Sequence, residues 1–302
     1  MTGDIELPAG TDELIPRHRS VEDAFLAVEW RNTRAIGLAY NVGFARSGPE
    51  YRPGLGFESR RDFTAVTAGA GFGWRPGDES AVSSQGFTLA AATYLRNGDS
   101  TLESGNIDIS YSLGLRSNHF FSAGLTASED DLTQPFDLSD DAGVPIGRYR
   151  AVEGRVGYTM PIRYPLRTNV NASLGGFFDG TRRALTLSPF WTPTPRFKLT
   201  GTYQLNHITF DARDQTFIAH VARAQTELMF DTRISLSGLL QYNSAADDFS
   251  VNARLRINPR EGTDLYLVYS ESLLTDLGSA AILPPRSRGR TLLVKFSRTL
   301  FP

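Results

Sequence analysis

The four histidines are the first side chains to consider for metal or acid–base chemistry, and they are scattered at His18, His119, His207 and His220. No two of them have the HExxH pattern or the i, i+4 spacing that brings imidazoles together on a zinc ion. The chain has no cysteine, which excludes thiolate metal sites and disulfides. Because no Ser/His/Asp grouping is recognisable either, the sequence predicts no catalytic residue, no metal and no cofactor.

Five charged side chains are the best candidates for a functional role, because each is predicted to lie on the polar face of a β-strand. Asp108 lies between Ile107 and Ile109, and polar and apolar residues also alternate around the other four. If the strands form a barrel, these side chains face its lumen. They either pair across strands or line a polar path, and we favour pairing. The candidates are Asp108, Glu153, Arg155, Arg254 and Arg256.

An acidic segment at 129–147, EDDLTQPFDLSDDAGVPIG, is the only stretch that suggests a calcium site. Clustered carboxylates are the ligands that hard cations prefer, but the segment lacks the DxDxDG order of a calcium-binding loop. We therefore interpret it as a solvated outer loop.

The clearest structural pattern is a hairpin at 233–258. Ile234, Leu236, Gly238, Leu240 and Tyr242 fall on one face of its first strand, and polar residues fall on the other face. The alternation resumes after the polar turn at 244–247. Two such strands, each with one apolar and one polar face, are longer than the roughly 5–6 residues usual in soluble sheets. They suit a membrane-spanning β-barrel, whose strands need roughly 9–11 residues.

The same alternation recurs along the chain and predicts about fifteen strands with almost no helix. Short turns alternate with longer loops, as in outer-membrane barrels. With the C-terminus placed in the periplasm, the first strand would begin outside, so at least one strand is expected before residue 22. We divide the chain into a polar start at 1–21 and a barrel domain at 22–302.

Composition narrows the class of protein further. The chain has 302 residues and a formal net charge of -2, so no basic field favours nucleic acid. No apolar run approaches the roughly 18 residues of a membrane helix. The first residues, Met1–Glu6, have neither the basic region nor the apolar core of a signal peptide. An outer-membrane protein must cross the inner membrane, so this observation conflicts with the barrel interpretation. Either that interpretation is wrong, or the chain is the later part of a longer polypeptide.

Several stretches resemble a known family, and they keep its order from about residue 51 to the end. They are YRPGLGFESRRDF (51–63), PFDLSDDAGVPIGRYR (135–150), GGFFDGTRR (175–183), LLQYNSAADDFSVNARLRINPREGTDLYLVYSE (239–271) and RTLLVKFSRTLF (290–301). This is similar to the outer-membrane β-barrel domain of unknown function that follows a carbohydrate-binding, family-9-like module in large bacterial proteins. The resemblance implies an outer-membrane barrel with no established activity, and an upstream portion with that module and more strands. It implies no catalytic or binding residues.

The sequence as a whole predicts an all-β, antiparallel, up-and-down transmembrane barrel of about 14–16 strands, forming part of a larger barrel. The expected role is an anchor or passive passage in the bacterial outer membrane, linked to glycan or nutrient uptake and without catalysis. Expected partners are outer-membrane lipid, the barrel-insertion machinery, and glycans through the upstream module. The rival hypothesis is a soluble all-β domain that acts on or binds carbohydrate.

Overall fold

A computed structural model describes residues 24–52, 60–139, 142–275 and 286–299. They form an all-β, antiparallel fold of seventeen strands, with one 3₁₀ turn at Asp211–Arg213. No helix in these four ranges has both the length and the apolar character needed to cross a membrane.

The strands of the first half are β1 (Phe25–Asn32), β2 (Gly37–Ser47), β3 (Phe63–Trp74), β4 (Val82–Arg96), β5 (Leu102–Leu115), β6 (Phe120–Leu132), β7 (Phe136–Ser139), β8 (Ala142–Val144) and β9 (Gly147–Thr159). Those of the second half are β10 (Leu166–Phe177), β11 (Gly180–Thr194), β12 (Phe197–Phe210), β13 (Gln215–Met229), β14 (Ile234–Asn243), β15 (Asp248–Arg260), β16 (Thr263–Leu274) and β17 (Ser287–Arg298).

Fifteen of these strands form one sheet in which each strand pairs with the next along the chain, from β1 to β17. The exceptions are β7 and β8, which form a separate two-stranded sheet between β6 and β9. The prediction of about fifteen strands is thus confirmed for the main sheet, and β7 and β8 were missed. The main sheet is open, because within the described residues β1 pairs with β2 alone and β17 with β16 alone.

The predicted hairpin at 233–258 is confirmed. Ile234 of β14 lies opposite Ile257 of β15, and Tyr242 lies opposite Phe249, so the apolar residues of both strands share a face. The preceding turn is closed by Asp231, whose carboxylate accepts hydrogen bonds of 2.7 Å from the backbone N–H groups of Arg233 and Ile234. These two hydrogen bonds to the charged form lower the pKa of Asp231.

The two faces of the main sheet differ in an unusual way, because in β2, β3, β5 and β6 the apolar face is the more exposed one. In β15 the order is reversed, and the polar face is the more exposed one. In β6 the apolar residues of one face are exposed, and the alternating residues Ser122, Gly124 and Thr126 are half-buried. Leu125, Val156 and Leu174 are neighbours on this apolar face and are 57%, 59% and 62% exposed. Only seven apolar side chains of the described residues are fully buried, so the sheet has no conventional core.

The main buried cluster covers one end of the polar face. We call this the upper end, and it also carries the turn at 178–179 and the 3₁₀ turn. Val144 of β8 packs there with Ile208 and Phe210 of β12. The side chain of Arg213 donates hydrogen bonds to the backbone oxygen of Gly143 and, at 2.8 Å, to Asp179.

This packing corrects the interpretation of 129–147 as a solvated outer loop. Residues 129–132 belong to β6, Gly147 begins β9, and β7 and β8 lie between them. Ala142 and Val144 are 2% and 1% exposed. The acidic composition predicted solvation, but Phe136, Leu138 and Val144 provide enough apolar surface to bind the segment to the sheet.

Candidate functional site

The candidate site is a group of four charged side chains on the polar face, which we call the charge ladder: Asp108 of β5, Glu153 and Arg155 of β9, and Arg182 of β11. Alternation puts all four on the same face of the sheet, because successive side chains of a strand point to opposite faces. Three of the five sequence candidates are brought together here.

The first ion pair joins Arg155 to Asp108. The Arg155 guanidinium contacts the Asp108 carboxylate directly and also donates a hydrogen bond of 2.7 Å to the hydroxyl of Thr126. That hydroxyl donates in turn to Asp108 at 2.8 Å. Because the carboxylate accepts from both groups, its charge is compensated within the site.

The second ion pair joins Glu153 to Arg182. The Nε and Nη2 atoms of Arg182 donate to the two carboxylate oxygens of Glu153 at 3.0 and 3.1 Å, which is a bidentate arrangement. The hydroxyl of Ser173 donates a further hydrogen bond of 2.9 Å to Glu153. Glu153 and Arg155 are only two residues apart on β9, but each forms its ion pair with a side chain on a different strand.

Each ion pair joins two strands that are separated by a third strand. In both cases that third strand has a glycine at the position over which the ion pair passes. Glu153 lies level with Gly175 of β10, which lies level with Arg182 of β11. Arg155 lies level with Gly124 of β6, and its side chain extends across β6 to Asp108 of β5. Strands two apart are separated by about 9–10 Å, which a long arginine spans only if the intervening side chain is absent.

Gly175→Ala is expected to destabilise the protein by about 1–3 kcal/mol, because the added Cβ meets backbone that cannot rotate away. An ideal Cβ on Gly175 would stand 2.3 Å from the backbone oxygen of Val152 and 2.4 Å from the Cα of Glu153. The free energy of unfolding, measured by urea titration of the folded protein, tests this expectation.

The matched control for that substitution is Gly289→Ala in β17. A Cβ on Gly289 would have no neighbour within 4 Å, so the unfolding free energy should hardly change. Equal losses for the two variants would show that Gly175 is not a steric spacer.

Beside the charge ladder lies a pocket of about 380 Å³ on the polar face of β5, β6 and β9 to β12. Glu153, Arg155 and Arg182 form part of its wall. Its uncharged polar side chains are Ser110, Ser122, Asn171, Ser173, Thr186, Gln204 and Asn206. The pocket thus presents hydroxyl and amide groups beside ion pairs that are already formed.

The other two sequence candidates, Arg254 and Arg256, lie on β15 and are not part of the charge ladder. Arg256 donates a hydrogen bond of 2.7 Å to Asp264 of β16, and Asn258 donates to the same oxygen at 2.9 Å. The guanidinium of Arg254 lies 5.9 Å from the centre of the Tyr266 ring. Their surroundings favour a role in holding β15 to β16.

Sequence reasoning missed Arg182, Thr126 and the glycine spacers. Arg182 and Arg183 are adjacent, and alternation puts them on opposite faces, but only the strand register assigns Arg182 to Glu153. The glycines Gly124 and Gly175 occupy polar-face positions of predicted strands, and a glycine inside a strand is a sequence signal that another group approaches closely.

The histidines that the structure describes do not come together. His119 and His220 each form a hydrogen bond of 2.8 Å with a tyrosine hydroxyl, Tyr158 and Tyr203 respectively. His18 lies outside the described residues. In the described ranges, no three acidic or histidine side chains are grouped in a way that could hold a metal ion.

Comparison with known proteins found no family model that matches the chain, and no curated protein that matches it. The family resemblance noted from the sequence therefore stays a prediction.

Proposed function

We propose that the chain is the barrel-forming part of a bacterial outer-membrane protein, acting as an anchor or passive passage without catalysis. The observation that carries this proposal is that large apolar side chains are exposed along one face of the main sheet in most of its strands, from Leu38 of β2 to Leu267 of β16. In water, exposing such a face would forfeit the hydrophobic stabilisation of a soluble fold. In lipid, the same face is solvated, and the polar face encloses water.

The strand lengths and pairing support the same proposal. The main-sheet strands contain from 8 to 15 residues, which suits a hydrocarbon layer crossed by tilted strands. Antiparallel pairing satisfies the backbone between neighbouring strands, as lipid requires.

The directions of the two edge strands limit how the sheet can close into a barrel. In an antiparallel sheet of fifteen strands the first and last strands run the same way, so β1 and β17 are parallel to each other. An antiparallel barrel therefore needs one more strand, or another odd number, between these two edges. A single added strand would give sixteen, an even number like those of bacterial outer-membrane barrels and large enough for an aqueous channel.

The proposal is tested by fractionating a Gram-negative host that carries the complete gene. We expect the protein in the outer-membrane fraction, released by detergent and not by salt or alkali. Recovery in the aqueous phase without detergent would contradict the membrane assignment and favour the soluble rival.

Ion conductance of the purified protein in planar lipid bilayers separates the two forms of the proposal. Stable current steps are expected for a passage, since polar side chains and water would fill the lumen. A protein that inserts without conducting would remove the passage and leave the anchor.

A further inference from the structure

We propose that the pocket beside the charge ladder binds a small, neutral, hydroxyl-rich solute such as a sugar or polyol. The inference deepens the proposed function, because it names what a passage would recognise. It can nevertheless be tested on the protein in detergent, without a membrane.

Several of the residues that line the pocket are small, among them Ser122, Ser173 and Ala184, and Gly157 lies beside two lining residues. Gly157 lies level with Ser122 of β6 and Asn171 of β10, so hydrogen-bonding side chains stand on both sides of a bare backbone position. A Cβ on Gly157 would stand 2.4 Å from the Ser122 hydroxyl oxygen and 3.0 Å from the Asn171 side-chain oxygen. With a volume of about 380 Å³, the pocket is of the size that encloses a small organic molecule.

The charges in the wall argue for a neutral ligand. Asp108 is matched by Arg155, and Glu153 by Arg182, so the ladder adds no net charge to the pocket. The carboxylate-bearing side chains are only 17% and 22% exposed and already accept hydrogen bonds from within the protein. A charged ligand would lose its hydration here without gaining an unpaired counter-charge.

The uncharged lining argues for a ligand with many hydroxyl groups. The side chains of Asn171, Gln204 and Asn206 make no hydrogen bond to any residue that the structure describes. Each amide offers two donors and one acceptor oxygen, so the three together can meet both the O–H donors and the oxygen acceptors of a sugar.

The first experiment measures binding of glucose to the full chain by saturation-transfer NMR, in an amine-oxide detergent that carries no sugar headgroup. Gluconate and glucosamine serve as negatively and positively charged relatives of the same carbon skeleton. We expect saturable glucose binding, and binding of both charged relatives at least about fivefold weaker, because neither finds an unpaired counter-charge.

Two double variants test whether glucose binds in the pocket beside the charge ladder. Asn171→Ala combined with Gln204→Ala should weaken glucose binding about tenfold, since two hydrogen-bonding groups are lost. The matched control combines Gln225→Ala with Gln241→Ala, which removes two amides of the same polar face outside the pocket, and it should leave binding unchanged. Should the first variant fail to fold, Gln204→Glu keeps the side-chain volume but exchanges the amide donors for a negative charge. It should also weaken binding.

Three results would overturn the inference: no saturable glucose binding, equal or tighter binding of a charged relative, or an equal loss in the control variant. A protein that conducts ions but does not bind glucose overturns this inference alone. A protein that binds glucose but stays in the aqueous phase overturns the membrane proposal alone.

Discussion

Leu240→Arg should prevent stable insertion into the membrane, with a cost of up to about 2–4 kcal/mol for an arginine on the lipid face. Leu240 lies on the apolar face of β14 and is 44% exposed. In lipid the guanidinium has no water or counter-charge there. The measurement is the fraction of protein that folds into lipid vesicles, read from the shift in gel migration between heated and unheated samples.

The adjacent residue, Leu239, provides a matched control on the opposite face of the sheet. Leu239 allows the same leucine-to-arginine substitution on the polar face, where it lies level with Gln225 and Asn252. Leu239→Arg should fold nearly as well as the parent protein, because in the proposed barrel the polar face borders water. In a soluble sheet, Leu239→Arg would reduce folding more than Leu240→Arg, since Leu239 is half-buried and Leu240 is exposed.

Phe210→Ala should lower the free energy of unfolding by about 3–5 kcal/mol, as expected when a buried aromatic ring is removed. Phe210 is 1% exposed and packs with Val144 of β8, and the Arg213 guanidinium lies 4.2 Å from the centre of its ring. Urea unfolding of the folded protein in detergent measures the loss.

A double-mutant cycle shows whether this ring holds β7 and β8 against the sheet. Val144→Ala and Phe210→Ala should couple by about 0.5–1 kcal/mol, the double variant losing less than the sum of the single losses. Val42→Ala, on the apolar face of β2, is the control partner for Phe210→Ala and should be additive. Additive losses for Val144 and Phe210 would mean that the ring stabilises β12 without holding β8.

The position of β7 and β8 also bears on the proposed passage. The two strands cover the upper end of the polar face, where Ile208 lies in the same transverse row as Arg182. A solute that approaches from the upper end would therefore meet β7 and β8 before the charge ladder. If the sheet closes, this segment narrows the lumen above the pocket.

Much of the architecture could be predicted from the sequence, because the alternation of apolar and polar residues that marks a strand is visible within a short stretch of the chain. The alternation of Ile107, Ile109 and Tyr111 with Asn106 and Asp108 needs no knowledge of the rest of the chain, and it correctly assigned Asp108 to the polar face. The hairpin of β14 and β15 was equally local, because its turn is short and its two strands are consecutive.

The partners across the sheet could not be predicted in the same way. The pairing of Glu153 with Arg182 depends on the register of β9 against β10 and of β10 against β11, and a shift by one residue would send Arg182 to the other face. The prediction of a solvated loop at 129–147 was wrong for a related reason. The acidic residues of this segment indicated solvent, while the apolar residues that anchor it pack with Phe178, Ile208, Phe210 and Phe217, which lie far from it along the chain.

The sequence alone therefore determined the all-β class, the strand periods and the division into an apolar and a polar face, because these follow from residue types at a spacing of two. Only the tertiary structure decided which charges meet, where glycine spacers let arginines cross a strand, and that β7 and β8 cover the polar face. These features depend on contacts between distant parts of the chain, and such contacts are fixed by register and packing across many strands.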